Sequence, residues 1–247
     1  MAVRDDRGDE KQTTTGFRGP LMVQSLTSAK SKFLSLRKLA TKNNIILIFD
    51  ECTSGFRETF GGLHKKYGVE PDIMILGKTL GNGYAITAVV GKGDIMKEAQ
   101  STFISSTFWT ERIGPTAALK TLEVMEREKS WRQITSTGQE IGKRWQTLAD
   151  KYNLPIEISG LPALVGFSIP LKNWLKYKTL ITQEMLKKGY LAANSVYVCM
   201  EHTEQVVNEY FEKLDPVWST IADCENDCNV DDLLEGPVCH RGFKRLN

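Results

Sequence analysis

The sequence predicts an α/β domain built on a mostly parallel sheet, followed by a smaller α+β domain. Three observations carry this. Two apolar runs of strand length, Ile45-Ile46-Leu47-Ile48-Phe49 and Ile73-Met74-Ile75-Leu76, lie close together in the chain, and their unbroken apolar character suits strands buried on both faces. A segment with helical spacing precedes the first run, giving the helix, strand, loop, strand order of a parallel sheet. Beyond residue 128 the pattern changes to long amphipathic helices with short strands between them.

Each element has its own signal. Residues 1–20 are polar and charged, Arg4-Asp5-Asp6-Arg7-Gly8-Asp9-Glu10-Lys11-Gln12 above all, and predict a flexible lead with almost nothing to bury. From Ser31 to Thr41, Phe33, Leu34, Leu36 and Leu39 fall at helical spacing, and Lys42-Asn43-Asn44 turns the chain into the first strand. The second strand breaks at Gly81-Asn82-Gly83, after which Ala85 to Gly91 predicts a strand returning beside it. Ala117 to Glu128 is a helix with Leu119, Leu122 and Met125 on one face. Arg127-Glu128-Lys129 is the hinge, which sets the domains at residues 21–128 and 129–247. In the second domain Ser130 to Tyr152 predicts a long amphipathic helix, Ile156-Glu157-Ile158 and Val165 to Ile169 short strands, and Leu180 to Lys188 a helix ended by Gly189. Tyr190-Leu191 and Val196 to Met200 are strand-like, and Thr203 to Ile221 is a final helix.

Composition excludes several classes. The 247 residues carry 32 Lys+Arg against 30 Asp+Glu, a balance that argues against a general polyanion-binding surface and so against nucleic acid. The basic clusters Lys172 to Lys178 and Arg241 to Arg245 are read as solvated faces. No run approaches the ~20 apolar residues that span a bilayer, and the first residues lack a secretory apolar segment. A cytoplasmic protein without a membrane partner is expected. Five cysteines do not change this. Cys224, Cys228 and Cys239-His240 do not match a zinc spacing, so no metal site is assigned; the thiols are expected to be structural or reduced, with Cys52 and Cys199 packed as small hydrophobes.

The chemistry sits at the strand ends. Asp50 and Lys78 each close an apolar run with an ionisable group. A carboxylate for a pyridinium nitrogen and a lysine for a Schiff base are the two protein groups that pyridoxal phosphate chemistry needs most. Each has a plainer reading: Asp50 as a helix cap or ion-pair partner, Lys78 as a solvated lysine. Lys78 departs from that plain reading because it enters a glycine-rich turn where a ligand can approach the backbone. Thr107 is a candidate phosphate ligand or a simple turn residue, with Thr110 its competitor. Glu51 is read as supporting the aspartate strand or as one half of a loop ion pair, Arg57 as a partner of Glu51 or of a substrate carboxylate, and His64 and His202 as surface or partly packed groups.

Phe49-Asp50-Glu51 with Gly55-Phe56-Arg57, and Pro71-Asp72 through Gly77-Lys78-Thr79-Leu80-Gly81-Asn82-Gly83, resemble the class III, fold type I pyridoxal-phosphate-dependent aminotransferases. Within that family they are most similar to the branch containing glutamate-1-semialdehyde 2,1-aminomutase. Ser105-Ser106-Thr107-Phe108-Trp109 running into Ala117-Ala118-Leu119 is a third, weaker match, and the similarity runs from about Phe33 to Phe211. The resemblance implies a partial fold type I large domain, pyridoxal 5′-phosphate held by Lys78, Asp50 and Thr107, catalysis by Lys78 and Asp50, a small amino or keto substrate, and a homodimer in which Thr107 serves the partner's cofactor. Family members carry a further half of the large domain upstream, with the phosphate cradle and the ring-stacking aromatic, so an N-terminally truncated member is expected, needing a second copy or a partner that supplies the missing half. Its apolar strand Ile45 to Phe49 would then be exposed. The activity implied is that of an aminotransferase or aminomutase, similar to glutamate-1-semialdehyde 2,1-aminomutase, moving an amino group through a Lys78 Schiff base. Where the aminomutases place a substrate-loop glutamate this chain has Val198, which weakens the aminomutase assignment and leaves an aminotransferase on another keto, aldehyde or sugar-linked compound as the alternative. A non-catalytic fragment that acts as a binding or assembly partner is the alternative from a different class.

Overall fold

The computed structural model describes residues 15–18, 26–104, 108, 110–226 and 228–240. The chain divides after Arg132 into two compact units. In the first, β1 (Thr15–Arg18) leads to helix α1 (Leu26–Lys42), β2 (Leu47–Asp50), a short helix α2 (His64–Tyr67), β3 (Ile73–Leu76), β4 (Ala88–Gly91), a single turn α3 (Gly93–Met96) and α4 (Ile113–Glu128).

The four strands lie in the order β1-β2-β3-β4. The first three are parallel, with Gly16, Ile48 and Ile73 in one row and Asp50 beside Ile75. β4 runs antiparallel to β3, Val89 beside Ile75. Side chains on a strand alternate between faces, and on β2 this buries Leu47 and Phe49. Phe33 of α1 meets the Phe49 ring at 5.5 Å and the Tyr67 ring at 5.0 Å, so helix, strand and α2 share one small core. On the site side Phe56, Leu76, Leu80, Ala118 and Met125 form another, which seats α4.

Three expectations are corrected here. Part of the stretch expected as a flexible lead, residues 15–18, is strand β1. Because β1 lies against β2, the run Ile45 to Phe49 is interior rather than exposed, with Leu47 only 1% accessible. The exposed apolar side chains lie elsewhere in this unit: Val89 and Val90 on the outer strand, then Phe103, Ile104, Phe108, Ile113 and Leu119. The returning strand is also shorter than Ala85 to Gly91, starting at Ala88 once the Gly81–Tyr84 turn has closed.

Lys129 takes a left-handed backbone at the end of α4, and α5 (Ser130–Lys151) follows, with all but its first turn in the second unit. That unit also contains the antiparallel pair β5 (Glu157–Ser159) and β6 (Gly166–Ser168), α6 (Trp174–Lys187) and α7 (Glu204–Asn226). Its core is aromatic. Phe167 lies 4.7 Å from the Trp145 ring and 5.5 Å from that of Trp218, while Trp145 donates its indole N–H to the Tyr210 hydroxyl at 3.0 Å. Tyr190-Leu191 and Val196 to Met200 are not strands: one bridge joins Ser195 to Gly166, and Val196 and Val198 donate to the carbonyls of Val165 and Ala163. The segment borrows β6 for pairing without forming a ladder. The cysteine expectation is also corrected at two places, since Cys224 and Cys228 form a disulfide at the end of α7 and Cys199 is exposed rather than packed. No helix is long and apolar enough to cross a membrane, and no group of three metal-binding side chains gathers, among the described residues.

Gly138 tests the packing of this unit. Alanine in a helix interior is favoured over glycine by about 1 kcal/mol. A Cβ at Gly138, however, would stand 1.8 Å from the Pro162 carbonyl oxygen, a backbone atom that cannot step aside, and such overpacking costs about 1–3 kcal/mol. Gly138→Ala is therefore expected to lower the urea midpoint. A raised midpoint would show that α5 does not press on this turn.

Candidate active site

Asp50 ends β2, and Lys78 follows β3 by two residues, so both stand at the carboxyl ends of neighbouring parallel strands, where open α/β sheets bind ligands. The Glu51 N–H donates to the Ile75 carbonyl at 2.9 Å and carries the pairing one step further. Lys78 then opens a 3₁₀ turn, Lys78–Leu80, with a backbone φ of 44°. Left-handed backbone in a residue with a Cβ costs about 1–3 kcal/mol and has to be held by its surroundings. Here the holding is visible: a Cβ on Gly81 would meet the Tyr84 carbonyl oxygen at 2.1 Å, and one on Gly77 would meet Cys52 Sγ at 3.2 Å. Both glycines let the turn close tightly behind the lysine.

Five residues gather there: Asp50, Cys52, Thr53, Lys78 and Thr79. Lys78 is exposed, and its Nζ donates to the Thr53 hydroxyl oxygen. Asp50 Oδ1 accepts the Cys52 N–H at 3.1 Å. Burial and the Asp50 charge push the Cys52 thiol up, while the Lys78 charge pulls it down; the thiol thus lies within reach of both charges. Thr79 beside the lysine has a buried hydroxyl without a hydrogen-bond partner among the described residues.

Glu51 points the other way and does something different. It is 4% accessible and accepts from Leu63 N–H, His64 N–H at 3.1 Å, the Ser54 hydroxyl at 3.2 Å and His64 Nδ1 at 2.8 Å. Burial pushes its carboxyl up, but the His64 side chain and the two backbone N–H groups hold it below its ordinary value. Glu51 therefore supports the aspartate strand by tying the loop after it to α2. His64, expected at the surface or partly packed, is buried as its partner, with Glu70 at 3.7 Å from Nε2. Arg57 Nε donates to the Thr53 carbonyl. Thr107 lies outside the described residues, and Thr110 is exposed.

Thr53 and Cys52 were missed as site residues by reasoning from sequence, although both fall inside the Asp50-to-Arg57 segment. Strand periodicity ends at Asp50, and nothing in the spacing says how the loop folds back toward Lys78. Two cavities, of about 350 Å³ and about 420 Å³, lie in the second unit; the candidate site is the group of side chains at the strand ends.

The fold is that of the transaminases. The FumI protein of Sphingopyxis sp. MTA144, in its PLP internal aldimine form, superposes with a TM-score of 0.75 at 19% identity, over 83% of this chain and 50% of that one. An omega-transaminase from Sphaerobacter thermophilus gives a TM-score of 0.65 at 18% identity, over 76% and 48%. The family described as aminotransferase class-III matches residues 25–207, and the chain belongs to it. Among relatives, a 3-aminobutyryl-CoA aminotransferase of Cloacimonas acidaminovorans is 33% identical over 69% of this chain and 43% of its own length. A glutamate-1-semialdehyde 2,1-aminomutase of Methanocaldococcus jannaschii is 27% identical over 74% and 47%. The chain thus spans about half the length of the curated relatives it matches.

At the opposite ends of the same strands, Asp72 accepts from Leu47 N–H at 2.8 Å, Arg37 at 2.7 Å and Lys92 at 2.6 Å. Burial pushes this carboxyl up, yet the Leu47 N–H, the two cations and the Arg37 charge hold it at about 2 against an ordinary 3.8. The folded state thus gains stability from the ionised form above about pH 4 and loses it as the pH falls toward 2, on the order of 2 kcal/mol in all. Asp72→Asn should remove a similar amount at neutral pH and flatten the acid limb between about pH 4 and pH 2. An unchanged acid limb in urea melts would show that Asp72 does not carry it.

Proposed function

We propose that this chain carries the lysine and aspartate of a pyridoxal-phosphate-dependent aminotransferase site acting on a small amino or keto compound. The observation that supports this most is the placement of Asp50 and Lys78 at the carboxyl ends of adjacent parallel strands, with the loop after Asp50 reaching Lys78 through Thr53. The residues present fit the cofactor. Lys78 is accessible and bonded to a neutral hydroxyl, Asp50 is half-buried at the strand end, and Thr79 beside the lysine offers a hydroxyl without a partner. Lys78 would hold the group covalently through Nζ with loss of water, and Asp50 would hold its ring nitrogen in the protonated state. Bound there, the group supplies an electron sink for the bonds at the substrate's Cα. Lys78 Nζ would take the Cα proton of a bound substrate and return it. Thr107 is proposed as a phosphate ligand on the resemblance alone.

Between the two reactions of the family, transfer to a second substrate is favoured over transfer within one molecule. Val198, at the position where the aminomutases resembled here place a glutamate, is apolar and buried, its N–H bonded to the Ala163 carbonyl. It can neither hold a proton nor bind a substrate amine.

Borohydride reduction of the chain after addition of pyridoxal phosphate should label Lys78, found by peptide mapping. Lys78→Ala should abolish the labelling. Asp50→Asn should leave it while slowing proton removal from Cα on the order of 10²–10³-fold, the usual loss when one charge-stabilising contact is removed. Labelling of Lys92, or spread evenly over many lysines, would overturn the assignment.

The reading includes a partner, a second copy of the chain or another polypeptide. Val89, Val90, Phe103 and Ile104 are exposed along the outer strand and the segment beyond it, and an edge strand with both faces uncovered invites association. Light scattering at tens of micromolar, roughly where exposed edges drive association, should show dimers or larger species. A stable monodisperse monomer would contradict this part.

A further inference from the structure

We propose that Thr53 is a positioning residue for Lys78: its hydroxyl holds the lysine amine by a neutral contact and so keeps it out of an ion pair with Asp50. The inference rests on the aminotransferase reading of the site and adds to it the group that keeps the two charged members apart. Lys78 Nζ donates to the Thr53 hydroxyl oxygen, while Asp50 Oδ1 accepts the Cys52 N–H at 3.1 Å. Among the described residues the lysine and the aspartate do not pair with each other, although they stand at the carboxyl ends of adjacent parallel strands.

Opposite charges so placed attract, and an ion pair favours the charged form of both partners. The amine would keep the proton that it has to lose before it attacks a carbonyl, and the carboxylate would be spent on the lysine. A hydroxyl has neither effect. It accepts from the protonated amine and, turned about its C–O bond, donates to the lone pair of the neutral one. The lysine tip is thus held in both forms without a charge being set against it.

Both ends of the contact are fixed by the fold. Thr53 lies in the loop that Glu51 ties down through Ser54, Leu63 and His64. The Gly55 N–H returns to the Glu51 carbonyl at 2.8 Å, and the Thr53 carbonyl accepts from Arg57 Nε at 3.3 Å. A Cβ on Gly55 would stand 2.8 Å from that Glu51 oxygen and 2.8 Å from Leu76 Cδ2, so the loop is pressed against the last residue of β3. On the other side the left-handed backbone at Lys78 sets where its side chain starts. Threonine suits the task, because branching at Cβ restricts χ1 and fixes the direction of the hydroxyl.

Acylation of the amine tests this on the full chain without cofactor. Trace acetic anhydride near pH 8, followed by peptide mapping, gives the rate at Lys78 relative to the exposed Lys143. Thr53→Val keeps the branched shape and loses the hydroxyl; it should slow Lys78 about threefold to fivefold, the ratio that a partly exposed ion pair of ordinary strength gives. Thr53→Ser should react close to the parent's rate. Adding Asp50→Asn to Thr53→Val should restore the rate, since no carboxylate is left to hold the proton, and a merely structural role of Thr53 would not show that rescue. If Thr53→Val loosens the loop, Lys66, paired with Glu58 at 2.7 Å, will react faster, and Thr53→Ala then gives the same test with a smaller side chain. Thr53→Val at the parent's rate, or a loss that Asp50→Asn does not restore, overturns the proposal. Borohydride labelling of the parent decides the aminotransferase reading separately, because acylation needs no cofactor.

Discussion

The first unit depends on one buried carboxylate. Asp72 ties α1 through Arg37, β2 through the Leu47 amide, and the chain beyond β4 through Lys92. A strand slipped by one residue turns every side chain to the other face, so a bond from the start of β3 to the start of β2 fixes register along both. With Asp72 on Leu47, Asp50 falls beside Ile75, and the next residues of β3 bring Lys78 to the same end. Asp50 and Lys78 are set at one end of the strands by a charge cluster at the other. An isolated surface ion pair would contribute little, but this carboxylate is nearly enclosed, and its bonds come from an amide and two cations at once.

The adjacent carboxylates Asp50 and Glu51 show how a strand end divides two tasks. Alternation sends their side chains to opposite sides. Glu51 goes inward, where burial would neutralise it unless hydrogen bonds compensated; four donors from Ser54, Leu63 and His64 do so and bind the loop to α2. Asp50 stays half-buried with one oxygen on the Cys52 amide. The loop held by Glu51 carries Thr53, which reaches Lys78. The inward carboxylate therefore shapes the surroundings of the outward one and of the lysine without taking part in their chemistry.

What could be read from the chain follows the same physics. Buried parallel strands announce themselves by continuous apolar runs, so β2 and β3 and the charged residues after them were legible. The helices α4, α5 and α7 were legible from their periodic faces. β1 was not, because Thr15-Gly16-Phe17-Arg18 sits in a polar stretch and owes its extended form to pairing with β2 rather than to local pattern. The segment from Tyr190 to Met200 erred in the other direction: its composition suits a strand, but its hydrogen bonds are spread over Ala163, Val165 and Phe167. His64 was misplaced because its burial rests on Glu51, thirteen residues earlier in the chain, a distance that periodicity cannot see.

Lys78 is presented on a tight turn at the end of β3. A lysine that has to meet a small molecule at its amine needs a fixed base and an open tip. The fixed base comes from the left-handed backbone at Lys78, enforced by Gly77 against Cys52 and Gly81 against the Tyr84 carbonyl. Larger residues at either glycine would push the turn away from the strand end and carry the lysine with it. The open tip follows from the direction of β3: the strand delivers its apolar residues to the core up to Leu76 and releases the chain toward solvent immediately afterwards. Leu80, one 3₁₀ turn further on, returns to the core beside Phe56 and Met125. Lys78 is thus held between two buried leucines, and the strain of its backbone is borne by the packing on either side of it.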